Sequence, residues 1–444
     1  MGKMNLRLQH IASQVIVAAI LIAVIAANDY REDLREEFPG DYCKRHNICC
    51  NNRQDNCSVQ ISNTLCYCDQ FCNWNPGDCC PDYKPFCLNE PIAHPLKACI
   101  YNNRNMKPLS TVMDNCNVCK CQQDGRVVCS QDLCLTDEDL IYNVNSISDL
   151  GWSARKYEEF WGRKYKEGLK LRLGTLEPSV RVKAMSRLSS PHLSLPRSFN
   201  SVDKWVNYVT EVPDQGWCGS SWAISTTSVA SDRYAIQSQG REVVNLSPQN
   251  ILSCATRQPG CNGGHLDAAW MYLHKRGVVE ENCYPYIANK TECKFKHTRN
   301  LRKARCPPAS NPEREEFYTV GPAYAINNET DIMVEIMNSG PVQATMYVYR
   351  DFFSYSGGIY RKSGATRGGE RGFHSVKLVG WGEERYGDKY WIAANSWGRW
   401  WGEHGYFRIL RGSNECGIEE YVLASWPNVY NSYRVKSANP KFRG

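Results

Sequence analysis

Long apolar runs are scarce in this chain of 444 residues, and the single one lies at its start. Lys3 and Arg7 precede an apolar stretch from Ile11 to Ala27, which predicts a secretory signal peptide over residues 1–27, cut near Ala26 or Ala27. An uncleaved anchor is the alternative, and the run is short for a bilayer span. No later stretch is apolar enough to cross a membrane, so the expectation is a secreted chain without a membrane span. Internal repeats, a phosphate-cradling glycine loop and an EF-hand pattern are also missing. Their absence leaves no motif for a nucleotide, calcium or any other cofactor.

Cysteine is absent from Leu135 to Ser194, although the chain holds 23. Ten fall between Cys43 and Cys87, six between Cys99 and Cys134, and seven between Cys218 and Cys416. In an oxidising compartment these spacings predict disulfides rather than metal sites, including at Cys116-Asn117-Val118-Cys119, where zinc is the alternative. The clusters mark modules at 43–90 and 95–135 and a larger domain at 195–430, with a cysteine-free segment at 136–194 and a basic tail at 431–444. Cys66, Cys68, Cys72, Cys79, Cys80 and Cys87 follow the order C-x-C-x3-C-x6-C-C-x6-C, which resembles a somatomedin B domain. Cys49, Cys50 and Cys57 complete that knot, and the extra Cys43 leaves its pairing open. Such a knot stands because cross-links replace the apolar core it lacks. The second module, with Cys99, Cys116, Cys119, Cys121, Cys129 and Cys134, is similar to the first half of a von Willebrand factor type C module. Gly125 to Cys129 reads as a turn and a short strand.

Charge rises in the cysteine-free segment. Trp152 to Leu173 predicts a helix, with Trp152, Tyr157, Phe160, Trp161, Tyr165 and Leu169 at its apolar positions. Its place just before the large domain suggests a propeptide-like linker, either cut in the polar stretch that holds Arg181, Lys183 and Arg187 or kept as a permanent part of the fold.

The large domain carries the chemistry. Gln215-Gly216-Trp217-Cys218-Gly219-Ser220-Ser221-Trp222, Gly372-Phe373-His374-Ser375-Val376 and Ala394-Asn395-Ser396-Trp397-Gly398 resemble the active-site motifs of papain-like cysteine proteases, in the family's order. The resemblance implies an α+β, two-lobed peptidase fold behind small disulfide-rich modules. It is closest to cathepsin B, through Gly260-Cys261-Asn262-Gly263-Gly264, Gly340-Pro341-Val342, Gly380-Trp381-Gly382, Trp401-Gly402-Glu403-His404-Gly405-Tyr406 and Glu415-Cys416-Gly417-Ile418-Glu419. In that family a thiolate at a helix N-terminus, paired with an imidazolium, is the nucleophile. The position belongs here to Ser221. By the same resemblance His374 is the base, Asn395 orients it, and Gln215 with the Ser221 N–H faces the oxyanion. A serine hydroxyl is too weak an acid to replace the ion pair, so the four residues are expected to be vestigial. The resemblance also implies disulfides Cys218–Cys261, Cys254–Cys293 and Cys283–Cys306, with Cys416 left as a buried, inert thiol. Two further departures bear on specificity. The loop from Glu292 to Cys306 keeps only His297 where cathepsin B has paired histidines, and Tyr421 stands where cathepsin B has an acidic pocket residue.

The whole arrangement resembles the tubulointerstitial nephritis antigen family of secreted matrix glycoproteins. That implies a noncatalytic protein binding extracellular matrix, with laminin, collagen and integrin-type receptors as family-level partners. The alternatives are a weakly active secreted serine-type or cysteine-type peptidase and a carrier of a secreted signalling protein. Asn56, Asn245, Asn289 and Asn328 each begin an N-x-S/T sequon. The net charge of +7 concentrates near 294–305, 163–172 and in the tail, suggesting heparan sulfate rather than nucleic acid as an acidic partner.

Overall fold

The computed structural model describes residues 40–429, apart from 62–63, 75–77, 91–96, 186, 189–193, 296–297, 299, 327, 366–368 and 386. The expected leader, the basic tail and His297 lie outside the described residues. Two compact units divide the chain, residues 1–112 with 119–129 and residues 113–118 with 130–444.

In the first unit all ten cysteines between Cys43 and Cys87 are paired, as Cys43–Cys68, Cys49–Cys87, Cys50–Cys57, Cys66–Cys80 and Cys72–Cys79. Half-cystines make up most of its core, with Val59, Ile61 and Tyr83 as the buried non-cysteine apolar groups. The buried Asp82 carboxylate takes the backbone N–H groups of Cys43 and Lys44, both at 3.0 Å, where the short helix Tyr42–His46 leaves them without an intrahelical partner. Cys99–Cys121 and Cys119–Cys129 cross-link the rest of this unit. There Val127–Cys129 forms a strand, antiparallel to residues 119–121. Cys116 pairs with Cys134 inside the second unit, so neither Cys116 nor Cys119 offers a thiolate to zinc.

The second unit combines helices and one ten-stranded sheet in an α+β arrangement. Its elements are α1 (Glu138–Ser146), β1 (Trp152–Ala154), α2 (Tyr165–Leu171), α3 (Ser221–Gln237), α4 (Pro248–Cys254), α5 (Leu266–Lys275), β2 (Tyr324–Ile326) and α6 (Glu329–Ser339). They are followed by β3 (Val342–Val348), β4 (Tyr355–Tyr360), β5 (Gly372–Glu383), β6 (Lys389–Ala394), β7 (Tyr406–Leu410) and β8 (Tyr421–Ala424). The sheet runs β1-β4-β7-β6-β5-β3-β8-β2 and ends on Arg187–Leu188, while Phe199–Asn200 joins β5 from the side. β5 lies between β3 and β6, and its burial is nearly continuous rather than alternating, as for a strand covered on both faces.

α3 is the central helix, buried almost all round. Its sequence is rich in Ala, Ser and Thr, whose small side chains let neighbours approach closely. The hydroxyls of Ser225, Thr226, Thr227 and Ser231 are satisfied by donating to the carbonyl four residues earlier, at 2.6 to 3.1 Å. One core gathers around α3, α4 and α5, and a second lies under the sheet. They are tied together where Asp232 of α3 meets Lys377 of β5 at 2.7 Å, both side chains buried. Burial pushes the Asp232 carboxyl up in pKa, while Lys377 and the Thr210 N–H and hydroxyl pull it back.

The cysteine-free segment departs from its expected form. Residues 152–173 are not one helix: Trp152–Ala154 is a strand paired with β4, Glu158–Phe160 is a 3-10 turn, and only Tyr165–Leu171 is α-helical. Gly162 takes φ 77°, in the left-handed region, and breaks the pattern. The aromatic residues are apolar because they are core, not because they stripe a helix. Trp152, Tyr157, Phe160, Tyr165 and Leu173 belong to the cluster under the sheet, with Phe353, Trp397 and Trp401. Trp161, expected on the apolar face, is instead partly exposed beneath the Lys156 ammonium, 3.5 Å from its ring.

Candidate active site and its occupant

The four motif residues come from separate elements. Ser221 opens α3, with Ser220 at the N-cap position. The Cys218–Cys261 disulfide fixes the turn before it, and Gly219 donates its N–H to the Cys261 carbonyl at 2.9 Å. His374 stands on β5 opposite Met346 of β3, and Asn395 directly follows β6. His374 Nε2 and Asn395 Oδ1 lie 2.7 Å apart, under the face of Trp397. Gln215 is held by the Ser396 hydroxyl, which donates to its Oε1 at 2.7 Å. Ser221, His374 and Gln215 are completely buried.

The chain itself buries them. After α2 the backbone passes directly over the start of α3. The Leu173 carbonyl accepts from Gln215 Nε2 at 3.0 Å and from the Ser221 N–H at 3.4 Å, the two donors that by resemblance face an oxyanion. Gly174 gives its carbonyl to the Gly264 N–H at 2.9 Å, and Leu176 donates to the Gly264 carbonyl at 3.0 Å. Thr175 also bridges Phe373, beside the histidine. Gly174, at φ 116°, touches Gly219 so closely that a Cβ there would lie 2.1 Å from the Gly219 carbonyl carbon. Only glycine fits this crossing.

The hydroxyl chemistry follows. Thr175 Oγ1 donates to Ser375 Oγ at 2.7 Å and lies 3.0 Å from Ser221 Oγ. With the threonine proton spent on Ser375, the single Ser221 proton goes to Thr175, not to an imidazole. His374 Nδ1 has no hydrogen-bond partner among the described residues. Burial depresses the His374 pKa to about 4 despite the favourable contact with Asn395, so at neutral pH the ring is an uncharged group with no proton to take. The arrangement holds a segment of the chain itself against the start of α3.

Thr175 and the Leu173 carbonyl are site groups that carry no motif, and they meet Ser375, beside the motif histidine, and Ser221. Their only signal in the sequence is position, a segment ending just before the large domain. Cys254–Cys293 and Cys283–Cys306 occur as disulfides. Cys416 is unpaired, half-buried and 3.3 Å from Glu415 Oε1, and burial followed by that carboxylate raises its thiol pKa. Tyr421 lies in β8 opposite Thr345. Asn56, Asn245, Asn289 and Asn328 are all exposed; the Asn328 side chain also caps α6 by accepting from the Asp331 N–H at 2.7 Å.

The sequence profile described as papain family cysteine protease matches residues 195–426. The chain belongs to the papain family, in the group that contains the tubulointerstitial nephritis antigens. It is 43% identical to the tubulointerstitial nephritis antigen-like protein of Mus musculus over 417 residues, covering 88% of this chain and 89% of that one. It is likewise 43% identical to the tubulointerstitial nephritis antigen of Homo sapiens, covering 90% and 89%. Among solved structures, proCathepsin B S9 from Trypanosoma congolense aligns at TM-score 0.57 and 30% identity, over 67% of this chain and 99% of its own. That exceeds the share matched by the family profile, and the neighbour is a proenzyme. The paired cysteines fit an oxidising, extracellular compartment, and no helix of the described residues is long and apolar enough to cross a membrane.

Proposed function

We propose that this protein is a secreted, noncatalytic cathepsin B-like glycoprotein that binds extracellular matrix or cell-surface proteins. The observation that carries the reading is the Leu173-Gly174-Thr175 segment, lying on Gln215 and Ser221 with the threonine and serine hydroxyls hydrogen-bonded at 3.0 Å. A peptidase needs an ionisable nucleophile, a base that can accept its proton and an accessible cleft. Here the nucleophile position is a serine, the base is a buried imidazole whose lowered pKa makes it a weak proton acceptor, and the cleft is occupied. The disulfide-dense N-terminal region is then the natural ligand-binding part, in keeping with its likeness to somatomedin B and von Willebrand factor type C modules. Laminin, collagen and integrin-type receptors are the partners implied by the family.

The test is hydrolysis of broad peptide libraries by purified wild type, Ser221→Ala and Ser221→Cys, alongside retention on laminin- and collagen-coated surfaces. We expect background hydrolysis from wild type and Ser221→Ala. Retention should fall when residues 43–90 are removed, a segment whose five disulfides are internal to it. Turnover by wild type that Ser221→Ala abolishes would establish a serine-type peptidase and overturn the reading.

A further inference from the structure

Several lysines and arginines of the sequence clusters already have partners in the fold. Arg172 is buried, bonded to Asp214 at 2.9 Å and packed among Phe160, Trp217 and Trp400. Arg163 stacks on Trp217, Lys164 pairs with Asp132 at 2.7 Å, and Arg302 pairs with Glu315 at 3.0 Å.

Unspent positive charge gathers elsewhere, from three stretches far apart in sequence. Arg181 on the short helix Val180–Lys183, Arg257 in the turn after α4, and Lys275 with Arg276 at the end of α5 line one cavity of about 990 Å³. All four are exposed, and none makes a salt bridge among the described residues. Among the described residues of the lining the only carboxylate is Asp267, whose Oδ2 already accepts from the Ser179 hydroxyl at 3.0 Å. His274, also in the lining, points its Nδ1 to the Val320 carbonyl at 2.7 Å and adds no negative charge.

We propose that this cavity binds a segment of sulfated glycosaminoglycan. Four cations of one sign around a single concavity call for a ligand with several fixed anionic groups at short spacing, and a sulfated disaccharide repeat supplies them. The volume lies at the upper end of the range for small-ligand sites, about 300–1,000 Å³, which suits one or two sugar units. A bilayer is flat and cannot enter it, and a nucleic acid duplex is too stiff and wide. Arg and Lys differ in role: the guanidinium groups of Arg181, Arg257 and Arg276 suit the forked oxygens of a sulfate, while Lys275 acts as a point charge. The proposal rests on the extracellular reading of the chain but not on its binding of matrix proteins.

The experiment is salt elution of the full-length protein from immobilised heparin, with competition by desulfated heparin, duplex DNA and anionic vesicles. Replacing Arg181, Arg257, Lys275 and Arg276 together by Gln should weaken heparin binding by about tenfold or more, as rim charges act jointly on association. Replacing Arg302, Lys303 and Arg305 by Gln should change it less than about twofold. Thermal midpoints of both variants should match wild type, because every replaced side chain is exposed or half-exposed. Equal losses from the two variants, or no retention of wild type, would overturn the site. Competition by DNA or vesicles as effective as by heparin would overturn the assignment to a sulfated sugar. Retention on laminin and collagen, measured on the same variants, reports separately on the proposed function.

Discussion

Gly174→Ala gives the sharpest test of the occupied cleft. The new Cβ would lie 2.1 Å from a backbone carbon of Gly219 and 2.2 Å from its carbonyl oxygen, and φ is 116°. Neither side of the contact is a flexible side chain, so the collision cannot be relieved by a rotamer change. A left-handed backbone costs an L-residue roughly 1–2 kcal/mol, and overpacking against rigid neighbours typically adds about 1–3 kcal/mol. Together they are comparable to the few hydrogen bonds, each worth about 1 kcal/mol net, that hold Leu173, Gly174 and Thr175. The segment should therefore lift while α2 and the aromatic residues before it stay anchored in the core. A thiol at position 221, introduced by Ser221→Cys in a Cys416→Ser background, reports the lifting. With the segment seated, residue 221 is completely buried and alkylation by iodoacetamide should be slow. Adding Gly174→Ala should accelerate it by about 30-fold or more, since 1.4 kcal/mol is a tenfold change in population. Alkylation of the Gly174-containing protein at the rate of an unfolded peptide would refute the claim that this segment fills the cleft. So would no acceleration in the double variant with an unchanged near-ultraviolet spectrum.

Two further outcomes follow from the same region. His374 has a folded pKa depressed to about 4 from an ordinary 6.5, so the unfolded chain binds the proton more tightly. Its contribution to stability is fully present above about pH 6.5 and is lost as pH falls toward 4, by about 3 kcal/mol in all. Urea unfolding of wild type against His374→Gln should show the wild-type advantage shrinking across that window, and parallel curves would contradict it. Phe160 is buried against Phe353, Trp397 and Trp400. Phe160→Ala should cost about 3–5 kcal/mol, read as a lower urea midpoint; a loss under about 1 kcal/mol would mean that this segment is not part of the core.

Much of the large domain was legible because its motifs are local. A glutamine six residues before a helix start, a histidine on a strand and an asparagine after another each sit within a short recognisable string. The structure brings all four residues into one buried site. The cysteine-free segment was less legible. Tryptophan and tyrosine at Trp152, Tyr157 and Tyr165 have apolar spacing compatible with a helix, yet pairing with β4 and packing under the sheet decide their conformation. Propensity is a weak prior where tertiary contacts are this dense. Thr175 carries no pattern at all, since one hydroxyl meeting another is visible only after the chain has folded back. Charge was legible only in part: from Arg163 to Arg172 the cations Arg163, Lys164, Lys166 and Lys170 are exposed, whereas Arg172 is held inside a cage of rings. The cations around the cavity come from stretches that sequence keeps apart.

The aromatic cluster also bears on where this protein can be divided. The match to the papain family profile begins at residue 195, but the hydrophobic cluster beneath the sheet recruits Leu135, Leu140, Val144, Trp152, Tyr157, Phe160, Tyr165 and Leu173. Arg350 reaches back to the Cys134 carbonyl at 3.0 Å and to Asp137 at 2.8 Å. A fragment begun at the profile boundary would lack Phe160, which packs on Phe353 and Trp397. Insertions or deletions between Leu135 and Leu173 are therefore subject to the constraints of an interior rather than those of a tether.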